Sequence, residues 1–151
     1  MIRQFALGGA LIAAFVSLEP ICAQDTFQVG NTTLTATNVA SGIQLPWEIL
    51  WGPDDFLWVT SRPGTVYRIN PETGATSTVL TKSVTNNGTG EPGMLGMAMH
   101  PEWETTPKVF IVYTTGPTWN GTERLSAFDW NGSSLVNEEI LLTLSACLLY
   151  T

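Results

Sequence analysis

Side chains able to do chemistry concentrate in one stretch of this 151-residue chain, residues 90–103, GEPGMLGMAMHPEW. It holds three glycines, two prolines, three methionines and His100, the sole histidine of the sequence. An imidazole titrates near neutral pH, so His100 with Glu91 or Glu102 as an orienting carboxylate has the makings of a general base. His100-Pro101-Glu102 is equally the composition of a tight turn that closes a strand. Elsewhere the chemistry is thin. Asp54-Asp55 and the Glu102/Glu104 pair are acidic, but calcium needs several oxygens converging from one loop, and neither pair has that spacing. No metal site is expected. The chain has no GxSxG, no HExxH and no phosphate-binding glycine loop, which leaves hydrolase and nucleotide-dependent classes without support.

The elements that must position these residues are strands. Short runs of Val, Ile, Thr and aromatics are each closed by Gly, Pro, Asn or Asp, and no 3.6-residue periodicity persists. The fold class is all-β. Residues 24–38 read as a polar lead-in. A first unit follows, with strands over 47–51, 56–61, 65–70 and 75–81, joined by the turns GPDD, RPG and PETG. A second has strands over 94–99, 109–114, 123–130 and 135–143, with Asn131-Gly132 as a hairpin turn. Two four-stranded meanders at a spacing of about 45–50 residues match the period of propeller blades. Laid over each other, the units place Gly52-Pro53-Asp54 on His100-Pro101-Glu102 and FLWVTS on VFIVYT. Glycine cannot do acid–base chemistry, so the repeat makes His100 a structural turn residue. Trp47, Trp51 and Trp58 lie in strands and are expected between the blades. Trp103, Trp119 and Trp130 lie near turns and are expected to pack as well. Gly90, Gly93 and Gly96 are expected where the backbone passes close to a neighbouring blade or the central channel.

Composition narrows the function classes. Thirteen acidic and six basic residues give a net charge of −7. That balance disfavours nucleic acid and anionic membrane surfaces, where Lys and Arg must meet phosphate. Residues 1–23 read as a signal peptide: Arg3, an apolar run over 5–18, and Ile21-Cys22-Ala23 before the cleavage point. The run is too short for a membrane span, so the chain is expected to be secreted or periplasmic. Cleavage would remove Cys22 and leave Cys147 without a partner, so no disulfide framework is expected. Sequons begin at Asn31, Asn87, Asn120 and Asn131, in a chain rich enough in Asn and Thr to produce them by chance.

The runs LPWEILWGPDDFLWVTSRPGTVYRINPETG, GEPGMLGMAMHPEW and VFIVYT together resemble the soluble glucose/sorbosone dehydrogenase family across residues 39–143. The shared motifs are Pro46-Trp47, Gly52-Pro53-Asp54, Thr60-Ser61-Arg62, the Gly90 to Gly96 segment and His100-Pro101-Glu102, in that order. The resemblance implies about two blades of a six-bladed β-propeller. It also implies oxidation of a sugar by pyrroloquinoline quinone with calcium, electrons leaving to an external acceptor. Glu91 takes the family position that contacts the sugar. The family's base is a histidine in an Asp/Asn-His-x-x-Gly-Arg-Leu-like segment after the second unit, and residues 144–151 contain none. The resemblance therefore implies no catalytic, cofactor-binding or metal-binding residue in this chain, and no turnover by it. The tail 144–151 matches nothing in the family, as a truncation or frameshift would produce. A non-catalytic propeller that binds carbohydrate or protein is the alternative.

Overall fold

Runs of β-branched and aromatic residues cut by Gly, Pro and Asn become ten strands, and the described residues contain no helix. The computed structural model describes residues 25–86, 91–117 and 121–145. The segment 1–23, both cysteines, Gly90, Asn87, Trp119 and Asn120 lie outside them.

The chain divides into two units, up to Asn38 and from Val39. In the first, β1 (Asp25–Val29) pairs antiparallel with β2 (Thr32–Ala36), and Gly30 takes a positive φ of 60° at the turn. The expected polar lead-in is thus a hairpin. Both strands are exposed along their whole length, although Phe27, Val29, Leu34 and Ala36 alternate with polar residues on either side of the Gly30-Asn31 turn, which is the sequence signal of a hairpin.

The second unit holds the two expected meanders. β3 (Pro46–Trp51), β4 (Leu57–Ser61), β5 (Thr65–Ile69) and β6 (Thr76–Thr81) form one antiparallel sheet in chain order. β7 (Met94–Met99), β8 (Lys108–Thr115), β9 (Thr122–Trp130) and β10 (Leu135–Ser145) form the other. These are two blades of a β-propeller. β10 runs past residue 143, so the start of the supposedly unmatched tail belongs to the strand, and residues 146–151 lie outside those described.

Pairing also corrects the overlay of the two blades. Pro46 faces Ser61 as Met94 faces Tyr113, and Ile49 faces Val59 as Met97 faces Ile111. Leu57 therefore corresponds to Val109, and LWVTS falls on VFIVY, one residue away from the sequence overlay. The second turn, 100–108, is four residues longer than the first, 52–56, and absorbs the difference.

Trp58, Val66, Met94, Val109, Ile111 and Tyr113 are fully buried and make the centre of the core. Trp58 meets Trp130 and Trp103 edge to face, with ring centroids 5.0 and 6.0 Å apart. Packing of Trp58, Trp103 and Trp130 is as expected. That of Trp47 and Trp51 is not: they are 47% and 62% exposed. β3 is the edge strand of its sheet, and its bulge sets the two on opposite faces, Trp47 on that of Thr60 and Trp51 on that of Val59. Strand composition reports a preference for burial but not which face finds a partner.

A bulge in the first strand of each blade makes the seam between them. The ladder skips residues 47–48 of β3 and 95–96 of β7. The hydroxyl of buried Thr60 accepts from the backbone N–H of Glu48 (3.1 Å) and donates to the carbonyl of Leu95 (2.6 Å). Met94 N–H donates to the Arg62 carbonyl alongside (2.9 Å). A third bulge, at residues 137–138 of β10, has Asn137 at φ 51°. There Glu138 bonds Lys82 of the first blade (2.6 Å) and accepts from the hydroxyl of buried Tyr113. The Lys82 ammonium lies 4.7 Å from the Tyr113 ring centroid. Partial burial pushes the Glu138 carboxyl upward, but hydrogen bonds from Lys82, Tyr113 and Ser126 outweigh it and hold the group below its ordinary range.

Two outcomes follow for stability. Thr60→Val keeps the shape but strands a part-buried N–H and a part-buried C=O, and should lower the unfolding free energy by about 1–2 kcal/mol; Thr60→Ser should recover most of it. Urea unfolding of the three proteins checks this, and an unchanged midpoint for the valine variant would refute the seam. Because the folded state depresses the Glu138 pKa, its contribution is present above the unfolded value and lost as pH falls through the folded one. Glu138→Gln should cost about 0.5–1 kcal/mol near neutral pH. It should also flatten the acid limb of stability between about pH 6 and pH 3. Parallel curves for both proteins would exclude that role.

Candidate functional site

Family-pattern residues fall at two opposite ends of the blades. One end, where β3 and β7 begin, carries Leu45, Arg62 and Glu91. The other, where they finish, carries Gly52, Asp54, His100 and Glu102. β7 separates Glu91 from His100 by about 20 Å at the usual strand rise, so Glu91 cannot orient that imidazole.

At the far end the chemistry is consumed by packing. A Cβ on Gly52 would lie 2.7 Å from the Trp58 indole, so only glycine lets the turn close over that ring. Asp54 accepts from the Trp58 indole N–H (3.0 Å) and from Arg68 Nε (2.7 Å). The Arg68 guanidinium carbon sits 3.3 Å from the Phe56 ring centroid. Gly-Pro-Asp is thus a device for seating a buried tryptophan. In the second blade His100 N–H donates to Lys108 O (2.9 Å), as Gly52 N–H donates to Phe56 O (2.7 Å). His100 Nδ1 accepts from the backbone N–H of Glu102 (3.1 Å), and the ring stacks on Phe110 at 6.1 Å. Glu102 meets the histidine through its backbone rather than its carboxylate.

The near end is built differently. Glu91 is exposed, yet Pro92, Gly93 and Met94 directly after it are buried. Gly93 N–H donates to the Thr114 hydroxyl (3.3 Å), and its carbonyl accepts from Thr114 N–H (2.8 Å). Gly93 has φ 151°, and a Cβ there would stand 2.6 Å from the Arg62 carbonyl. The expectation of close backbone approach holds for Gly93. At Gly96 a Cβ would meet nothing within 4 Å, so no neighbouring blade crowds that position. A free carboxylate is thereby mounted on a backbone locked to both blades.

Arg62 is the residue that inspection of the sequence missed. Its N–H donates to Leu45 O (3.0 Å), its carbonyl takes Met94 N–H (2.9 Å), and Nη2 reaches Pro92 O at 3.5 Å. Its guanidinium carbon lies 6.0 Å from the Trp47 ring centroid, and its Nε is buried with no partner among the described residues. The Thr60-Ser61-Arg62 motif could have flagged it, but nothing local says that its neighbours are residues 45–47 and 92–94. Three other cations are taken: Arg68 pairs with Asp54, Lys82 with Glu138 and Lys108 with Asp129. The described residues contain no group of three His, Cys, Asp or Glu able to hold a metal ion.

Comparison with known proteins converges on one family. The chain is 37% identical over 75 residues to quinoprotein glucose dehydrogenase B of Acinetobacter calcoaceticus, covering 48% of this chain and 16% of that protein. An uncharacterized protein of Synechocystis is 25% identical over 134 residues, 83% of this chain and 32% of the relative. Among solved structures, an oxidoreductase of Thermus thermophilus described as a glucose dehydrogenase superposes with a TM-score of 0.62 at 26% identity. That match covers 70% of this chain and 31% of the other. The PQQ-bound aldose sugar dehydrogenase of Streptomyces coelicolor shares the fold at TM-score 0.59 and 23% identity, over 83% and 36% of the two chains. This chain spans about a third or less of the length of these relatives. The Glucose / Sorbosone dehydrogenase family model matches residues 43–146, which takes in both blades, the Thr60 seam and the Glu91 loop: the chain belongs to that family.

Proposed function

We propose that this chain supplies two blades of an exported, quinone-dependent sugar dehydrogenase and that Glu91 contacts the sugar. The observation that carries the role of Glu91 is its exposed carboxylate on a loop whose next three residues are buried against both blades. A carboxylate held in that way accepts hydrogen bonds from sugar hydroxyls without first having to be ordered. His100 is assigned to the turn, because its Nδ1 lone pair is already spent on the Glu102 N–H. The base and the groups that hold pyrroloquinoline quinone and calcium are assigned to parts of the family fold that these two blades do not include. The quinone, where bound, serves as the hydride acceptor. The segment 1–23 is assigned to export, which places the sugar and an external electron acceptor outside the cytoplasm. No described helix is long and apolar enough to cross a membrane.

The 151-residue product, purified and supplied with quinone and calcium, should reduce a dye with no dependence on added aldose. Sugar-dependent reduction would overturn the assignment of the base to another part of the fold. In a protein that carries this segment within the full family length, Glu91→Ala should lower kcat/KM by roughly tenfold or more. Glu91→Gln, which keeps an acceptor oxygen, should stay within a few fold. Unchanged kcat/KM in the alanine variant would remove Glu91 from the substrate site.

A further inference from the structure

We infer that Trp47 is the stacking platform for a sugar ring bound beside Glu91, with Arg62 as the positioning residue that holds platform and carboxylate together. The inference rests on the assignment of Glu91 to substrate made above.

The β3 bulge at residues 47–48 takes Trp47 out of the ladder, as bulges do where a side chain must be re-aimed. The residue remains 47% exposed, although tryptophan has the largest apolar surface to hide. Arg62 lies against that ring on one side, at 6.0 Å, and reaches the carbonyl of Pro92, the residue after Glu91, on the other. One guanidinium therefore spans from the aromatic ring to the loop that carries the carboxylate. Much of its hydrogen-bonding capacity is unused. The Pro92 contact is long at 3.5 Å, and Nε has no partner among the described residues. Trp51 is more exposed still, but it ends β3 at the opposite side of the blade, away from this loop.

The combination selects a ligand class. A pyranose presents a face of C–H groups and a rim of hydroxyls. An open indole suits the face, while a carboxylate acceptor suits the rim. Glu91 and the chain's net charge of −7 disfavour an anion in the same place. The occupant is thus a neutral sugar in its ring form.

Saturation-transfer NMR and calorimetric titration on the full chain test this, with methyl β-D-glucopyranoside as probe and glucitol, which has no ring face, as control. The glucoside should bind in preference to glucitol. Trp47→Ala should weaken it about tenfold, the scale of one lost aromatic contact, and Trp47→Phe should restore most of the affinity. Arg62→Lys keeps the charge without the planar fork, and should weaken binding severalfold while the melting temperature holds. No binding of the glucoside, or equal binding by wild type and Glu91→Ala, would defeat the Glu91 assignment and this inference with it. Weakened binding in Glu91→Ala but not in Trp47→Ala would overturn the platform alone. Trp47→Ala that binds normally but changes its association state would show the ring to be a docking face, which also overturns it. An Arg62→Lys loss that merely tracks lost folding would return Arg62 to the scaffold.

Discussion

The structure depends on one hydroxyl placed between two bulges. Each blade begins with a strand whose ladder is interrupted, and each interruption leaves a backbone group to be satisfied elsewhere. Thr60 takes the Glu48 N–H of its own blade and gives its proton to the Leu95 carbonyl of the next. Buried peptide groups without partners are costly, so two defects that would each destabilise a blade instead become its joint. The Arg62–Met94 and Gly93–Thr114 bonds continue the same line. Because that line ends at Glu91, the requirement for packing between blades also fixes the carboxylate assigned to the ligand.

The two ends of the blades divide the labour. At the end carrying Gly52 and His100, these groups are engaged in local contacts: glycine under an indole, aspartate on that indole's N–H, arginine over a phenyl ring, imidazole on a backbone N–H. At the end carrying Arg62 and Glu91 the backbone is equally constrained, but Glu91 is exposed and Arg62 Nε has no partner among the described residues. Stability is concentrated where the side chains are spent, and binding capacity remains where they are not. The Lys82–Glu138–Tyr113 contact is intermediate, an ion pair across the blades that ties the outermost strand of the second to the first.

Much of this was legible from residue order. The eight blade strands, their turns, the repeat and the family motifs all rest on local chemistry, namely β-branched runs and the φ requirements of Gly, Pro and Asn. The turn position of His100 was readable too, since a glycine holds the same place in the first blade. The hairpin at residues 25–36 was not read, although Phe27, Val29 and Leu34 alternate with polar residues around Gly30-Asn31; two five-residue strands with so few apolar side chains look like a polar lead-in. Nor was the exposure of Trp47 and Trp51, or the hub at Arg62, whose partners lie far from it in sequence.

The sequence by itself determined that the chain is all-β, that it repeats, and which family it belongs to. Tertiary structure alone decided which way each side chain faces near residues 47, 95 and 138. The physical reason is the period of a strand: alternation assigns faces only while the ladder is regular, and one extra residue on one strand reverses every assignment beyond it. Of these three bulges only that at 95–96 carries a compositional mark, Gly96, and the bonds of Thr60, Arg62 and Glu138 are made beside them.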